Sequence, residues 1–378
     1  MGGGNSATGG GYVTAYSMLG AILMNVNGQT AFNYPWGMAL APANFGDFSK
    51  MLLVGNFGDG KINVFDPATG ALKGTLNNQQ GQPIAIDGLW SLNFGNGQIS
   101  DNATLYFTAG IQGQVHGLLG SIQPPPAFTA AGIQNAASAD ARISPNSYAA
   151  IFGNALAATS RTWAANDFVN NALPTTVDGV GVSINGEAAY VNYINPLQLD
   201  ILIPPDVTPG PAQITVTNNG LTSATITATI LNSAPAFFIF GPPNTAGNQY
   251  IAATHADNTP GGPPNYVQGV NSTPFAEGET IILYGNGFGL TNPPVAKGQL
   301  VTKALPLATM PAVTIGGLNA TVQFAGLSAT GLYQFNVVVP KGLTPGTTSN
   351  IDVPVVIDLG GGSTTQANAI ISVVNPTN

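Results

Sequence analysis

Few residues in this chain are able to carry proton-transfer or nucleophilic chemistry: 2 histidines, 16 acidic residues and no cysteine. Acid–base and covalent catalysis draw on these types. Without cysteine there is no thiolate zinc site and no thiol nucleophile. No Gly-x-Ser-x-Gly, His-Glu-x-x-His, Walker A or EF-hand pattern occurs, and no Gly-x-Gly-x-x-Gly opens a helix. Neither a metal nor a cofactor is expected. Paired carboxylates remain, because glycoside hydrolysis needs only two at a suitable separation. The first 123 residues supply Asp47, Asp59, Asp66, Asp87 and Asp101, with His116 as the candidate base. Asp59 in Asp-Gly and Asp66 in Asp-Pro read first as turn residues, whose carboxylates bond their own backbone. Asp87, between Ile86 and Gly88 and just before Trp90, is the more interesting acid. A hydrolase of glycosides or esters using Asp87 or Asp59 with His116 is therefore the catalytic alternative. His255 lies in a separate region and is not expected to meet His116, which itself reads first as a structural histidine for want of partners.

The elements that must position these residues follow from composition. Glycine and proline number 49 and 29, which disfavours long helices because glycine is entropically costly there and proline lacks the helical N–H. Apolar residues make up 44% and charged residues only 6%, against about 25% charged in an ordinary domain. The chain is thus expected to fold, all-β, with Gly and Pro in its turns. With 8 basic residues and a net charge of −8 it cannot neutralise phosphates, so nucleic acid is excluded as a partner. Strictly apolar runs such as Ala236 to Phe240 stop at about five residues, where a spanning helix needs about 20, so no membrane insertion is expected. Met1-Gly2-Gly3-Gly4-Asn5-Ser6 lacks the basic and apolar regions of a signal peptide and only formally fits an N-myristoylation pattern.

From Gly11 to Gln123 the sequence repeats at about fifty residues, the length of one propeller blade. Tyr12-Val-Thr-Ala-Tyr16 with Gly20-Ala-Ile-Leu23 parallels Ile62-Asn-Val-Phe65 with Gly70-Ala-Leu72, and Pro35-Trp36-Gly-Met-Ala39 parallels Leu89-Trp90-Ser-Leu-Asn93. The order strand, turn, strand, Trp strand, strand is predicted twice. The runs Leu40-Ala-Pro-Ala-Asn-Phe-Gly46, Leu53 to Ile62, Ile86-Asp-Gly-Leu-Trp90, Leu105 to Gly110 and His116-Gly-Leu-Leu-Gly-Ser121 resemble the C-terminal blades of exported bacterial NHL-like β-propellers. That resemblance implies a partial propeller of about two blades over residues 1–123, an N-terminally incomplete product, an open strand edge able to pair with another chain, and Asp87 facing a central channel. Trp36 and Trp90 recur at one blade position. Such a pair reads first as inter-blade core and second as a platform for stacking a sugar. Trp36, Trp90, Asp87 and His116 form the candidate ligand-binding set.

Gln123-Pro-Pro-Pro126 is a stiff linker, spanning 124–127, and a second repeat follows at an offset of about 136 residues. Gln198-Leu-Asp-Ile-Leu-Ile-Pro204 matches Gln334-Phe-Asn-Val-Val-Val-Pro340, Val207-Thr-Pro-Gly210 matches Leu343-Thr-Pro-Gly346, Val182-Ser-Ile-Asn-Gly186 matches Val313-Thr-Ile-Gly-Gly317, and Ala150-Ile-Phe-Gly-Asn154 matches Ile282-Leu-Tyr-Gly-Asn286. Period-2 alternation in the tail of each copy predicts strands, and turn residues at intervals near ten predict two immunoglobulin-like β-sandwich domains, 128–233 and 234–378, the second carrying an insertion at 242–275. Ala131-Gly-Ile-Gln-Asn-Ala-Ala-Ser138 and Leu332-Tyr-Gln-Phe-Asn-Val337 resemble the IPT/TIG class, which implies spacer or adhesive modules. Gln198 and Asp200, equivalent to Gln334 and Asn336, suggest a shared structural role such as bonding a neighbouring loop. Asn102, Asn271 and Asn319 open formal glycosylation acceptors. Together these readings imply a non-catalytic extracellular or cell-surface protein that binds a polysaccharide or a surface protein.

Overall fold

The computed structural model describes residues 10–28, 30–95, 103–343 and 350–374. The readings that fall on residues 1–6, on Asp101 and Asn102, and on the 344–346 part of the last Thr-Pro-Gly turn lie outside the described residues. The chain is all-β, and among the described residues its helical pieces are the single turns Gly46–Phe48, Ile111–Gln114 and Ala165–Asp167. It divides into two compact units, residues 1–127 with 154–159 and residues 128–153 with 160–378.

Among the described residues the first unit holds nine strands: β1 (Thr14–Tyr16), β2 (Ile22–Asn25), β3 (Pro35–Leu40), β4 (Leu52–Asn56), β5 (Ile62–Phe65), β6 (Leu72–Thr75), β7 (Leu89–Phe94), β8 (Leu105–Gly110) and β9 (His116–Ile122). They form a β1-β2 hairpin, a four-stranded antiparallel sheet in the order β3-β4-β5-β6, and a three-stranded one in the order β7-β8-β9. The sheet boundary is offset from the sequence repeat. Each tryptophan strand opens a sheet instead of sitting inside one, so the second half of one repeat pairs with the first half of the next. The hairpin β1-β2 occupies the place in the repeat that β5-β6 holds, and pairs with itself. All four residues of β5 are buried, as expected for a strand covered on both faces. Leu53, Ile62, Val64, Leu89, Leu92 and Leu105 pack the two larger sheets into one core.

The second unit contains two sandwiches of paired sheets. One sheet of the first runs Ala127–Asn135, Tyr148–Asn154, Gln198–Leu202, Tyr190–Asn195, Arg161–Thr162; its mate is built on Val180–Ile184 and Gly210–Asn218. The second sandwich places Thr280–Asn286, Leu332–Val338 and Thr321–Ala329 against Ala369–Val374, Ile351–Asp358 and Ala312–Ile315. Strict alternation of burial along Val180–Ile184 and Leu332–Val338 follows from the two-residue period of a strand with one face on the core. Asn185-Gly186 and Gly316-Gly317 hold equivalent two-residue hairpin turns in which both residues have positive φ, 53° and 86° in one and 59° and 80° in the other. That geometry explains the Asn/Gly requirement at these four positions.

The 242–275 insertion is knitted into the second sandwich: Gln249–Tyr250 and Phe275–Ala276 both add to strand Ala369–Val374 in parallel, and Ala253–His255 adds to Thr280–Asn286. Its Tyr250, Ile251, Ala253 and Phe275 are buried. Gln198 and Gln334 share a structural role, as expected from their equivalence, but it is not the bonding of a neighbouring loop. Each donates its side-chain amide two residues along its own strand, to Asp200 Oδ1 and to Asn336 Oδ1, both at 2.8 Å.

Candidate functional site

The site is built where β3 and β7 run side by side. A Cβ placed on Gly37 would stand 2.7 Å from the Trp90 carbonyl oxygen and 2.9 Å from the Leu92 nitrogen, so only glycine allows the two backbones to approach this closely. That approach brings Trp36 and Trp90 together with ring centroids 5.4 Å apart and planes at 69°. Phe57, just beyond β4, adds a third ring, 6.0 Å from Trp90 and at 84° to it. The indoles are not core: Trp36 is 62% exposed and Trp90 38%, and Met38 and Leu40, which share a face of β3 with Trp36, are exposed as well. The tryptophans thus pack between the two sheets, as the favoured reading has it, but at the surface and not in a core. Alternation places Gly37 inward, so residues 36, 38 and 40 point outward.

Beside Trp90 lies an open pocket of about 230 Å³, lined by Trp90, Thr108, Ala109, Gly110, Gln114, His116 and Gly117. Gly110 lines it, and a Cβ there would stand 3.1 Å from both Trp90 Nε1 and Gln114 Cγ. Gln112, Gly113 and Gln114 follow one another with φ of 54°, 68° and 74°. Two non-glycine residues held in the left-handed region represent stored backbone strain, of the kind that concentrates at functional sites. Asp87 anchors this run, its Oδ2 accepting the Gln112 N–H at 2.9 Å. Thr108 Oγ1 shares a hydrogen with Ser91 Oγ at 2.7 Å, which fixes the hydroxyl at the pocket wall.

The predicted residues thus divide. Trp36, Trp90 and His116 lie on or beside the cleft, and Asp87 stands behind it as a positioning group. Asp59 is elsewhere in role: its Oδ1 accepts from Asn56 Nδ2 and from the Lys61 N–H at 3.0 and 3.2 Å, and its Oδ2 lies 3.3 Å from Lys61 Nζ. Asp66 closes its own turn by accepting the Ala68 and Thr69 N–H groups, and the first of these bonds leads in holding its carboxyl below the ordinary range. Among the described residues, neither Asp59 nor Asp87 has a hydrogen bond to His116. His255 belongs to the other compact unit, where its ring bonds Glu279 and packs on Phe275. Phe57, Thr108 and Gln114 were missed from sequence; only the reversal of φ at 112–114 brings Gln114 back to Trp90, and no residue type announces that turn except Gly113.

A second cluster is structural. Asn286, fully buried, accepts the Tyr148 N–H at 2.8 Å and donates to Tyr148 O and Asn135 Oδ1, while Asn135 Nδ2 donates to Ala234 O at 2.9 Å. Tyr333, also fully buried, accepts from Asn146 Nδ2 at 3.0 Å and donates to Gly289 O at 2.5 Å; burial raises its phenol pKa. All of these bonds except Tyr333 to Gly289 join the two sandwiches of the second unit. Among the described residues no group of three or more His, Asp or Glu side chains is arranged to hold a metal, and no helix is long and apolar enough to cross a membrane.

No family model matches the chain. Two uncharacterized proteins of Acanthamoeba polyphaga mimivirus are similar to it. One is 35% identical over 114 residues, 30% of this chain and 29% of that protein, and the other 36% identical over 112 residues, 30% and 27%. The chain thus spans under a third of the length of these relatives. Among solved structures, SGBP-B of the Bacteroides ovatus mixed-linkage glucan utilization locus, in complex with a mixed-linkage heptasaccharide, covers 79% of this chain and 58% of its own, at 13% identity and a TM-score of 0.26. At that score the likeness carries no argument.

Proposed function

We propose that the chain is a non-catalytic extracellular or cell-surface protein that holds a polysaccharide on the aromatic face of its first unit. In this reading the first unit is an NHL-like β-propeller segment carrying the contact, and the two sandwiches are IPT/TIG-type modules serving as spacer or adhesive units. The observation that carries the reading is the exposed, mutually packed pair Trp36 and Trp90. A contiguous exposed apolar patch marks a binding surface, and an indole supplies both a stacking face and an N–H donor for hydroxyl-rich ligands. The composition agrees: with 6% charged residues, contacts must come from stacking and neutral hydrogen bonds.

The test is retention of the purified chain on immobilised polysaccharides, compared at low and moderate salt. Retention that barely changes with salt is expected, because screening weakens only charge-based contacts. Binding that collapses as salt rises, or capture of a protein partner with no polysaccharide retained, defeats the reading.

A further inference from the structure

We propose that the Trp36–Trp90 cleft takes a single soluble chain of a neutral glycan, with one sugar ring seated in the pocket beside His116, and does not bind the flat face of a crystalline polysaccharide. The proposal rests on the glycan-binding reading above and narrows it to a ligand class. The ring planes decide the shape of the ligand. A crystalline polysaccharide presents its sugar faces in one plane, on which only coplanar rings lie flat. Here the planes stand at 69° for Trp36 with Trp90 and 84° for Phe57 with Trp90. Rings so crossed form the walls of a cleft: one stacks on a sugar face while the next meets the chain from its side.

The pocket sets the size. At about 230 Å³ it falls below the roughly 300 Å³ at which pockets for drug-sized ligands begin, so it admits one ring. Its chemistry sets the class. Thr108, Gln114 and His116 offer a hydroxyl, an amide and an imidazole, each matched to sugar hydroxyls. Among the described residues its lining includes no lysine or arginine, and the chain's net charge of −8 repels an anionic glycan. The left-handed run 112–114, anchored on Asp87, holds Gln114 in place before any ligand arrives.

The full chain would be run by affinity electrophoresis through gels containing soluble neutral glucans, mannans or galactans, or soluble polygalacturonate, and mixed in parallel with microcrystalline cellulose and chitin. Wild type would be compared with Trp36→Ala, Trp90→Ala and His116→Gln, each checked for an unchanged melting temperature. The expected result is retardation by at least one neutral soluble glycan, weakened about tenfold or more by either tryptophan change and insensitive to salt, with no retention on the crystalline solids. If Trp90→Ala fails to fold, Trp36→Ala, whose ring is mostly in solvent, decides. Retention on a crystalline solid or retardation by polygalacturonate alone overturns the proposal while sparing the glycan reading; retardation that the tryptophan variants leave intact overturns the proposal and the placing of the glycan on the aromatic face, but not glycan binding itself. Absence of retention by every polysaccharide, soluble or crystalline, overturns the glycan reading itself.

Discussion

Replacing Gly37 with alanine tests whether the close approach of β3 and β7 creates the aromatic cleft. The new Cβ would meet the Trp90 oxygen at 2.7 Å, the Leu92 nitrogen at 2.9 Å and the Ser91 carbonyl carbon at 3.0 Å. All three are backbone atoms, so no side chain rotates out of the way. An ordinary contact needs about 3.5 Å, so the strands must separate by roughly 0.8 Å. Overpacking of this kind costs about 1–3 kcal/mol. Against it stands the reduced entropy of the unfolded alanine chain, which favours the variant by about 0.4–1 kcal/mol where φ is permissive. Gly37 is not among the positive-φ glycines, so both terms apply, and the steric one wins by about 1–2 kcal/mol. For a unit of this size that lowers the melting temperature by about 4–8 °C. Tryptophan fluorescence follows the right transition, since two of the three tryptophans, Trp36 and Trp90, lie in the first unit. Gly117→Ala is the control, because nothing stands within 4 Å of its Cβ position and its φ is ordinary. Gly37→Ala should melt well below Gly117→Ala and, against wild type, lose most of its glycan retention; Gly117 lines the pocket, so its variant is a control for melting alone. A Gly37→Ala protein that melts level with the control shows that the two backbones are not in contact, and the cleft then owes nothing to the glycine.

Three further outcomes are expected. Asn286→Ala leaves the Tyr148 N–H without a partner, whereas Tyr148 O and Asn135 Oδ1 each keep a second donor, Ala136 N and Ala137 N. The loss should be about 3 kcal/mol, one orphaned donor plus two forfeited bonds, read by chemical denaturation; a loss below about 1 kcal/mol contradicts the network. Asn286→Asp should be worse at neutral pH, since a carboxylate there faces two acceptors, and should recover as acid protonates it. Asp167, hydrogen-bonded by Arg161 and by the Ala164 N–H, has its carboxyl held down to about 2. Its folded pKa lies below the unfolded one, so its stabilisation is present above the ordinary carboxylate range and is lost as pH falls through about 2. Asp167→Asn should therefore melt below wild type at pH 6, with the gap closing as the pH approaches 2; a gap constant across that range removes the linkage.

The all-β class was legible because local rules and global fold agree in this chain. Alternation along Val180–Ile184, the Asn185-Gly186 turn and the breakers between strands each state the same structure without tertiary help. The short parallel additions at Gln249–Tyr250 and Phe275–Ala276 were not legible, since two-residue strands have no period to read and take their register from a partner over a hundred residues away in one case. The offset between sheet and repeat was hidden for a related reason. A repeat fixes what recurs, but leaves open where one sheet stops and the next begins.

The site shows the same division more sharply. The recurrence of Trp36 and Trp90 was visible, and so was their equivalence, but exposure depends on which sheet edge each strand occupies. Because both open their sheets, the indoles face outward together and the pair becomes a surface in place of a core. The second unit makes the converse point. Asn154 and Asn286 match in sequence, yet Asn154 is exposed while Asn286 is fully buried and joins two sandwiches. Equivalent residues in a duplicated fold share their local hydrogen bonds, as Gln198 with Asp200 and Gln334 with Asn336 do. They diverge wherever a third element arrives, and function is built from that third element. In the first unit it is the strained turn 112–114, which turns a recurring tryptophan into the wall of a pocket.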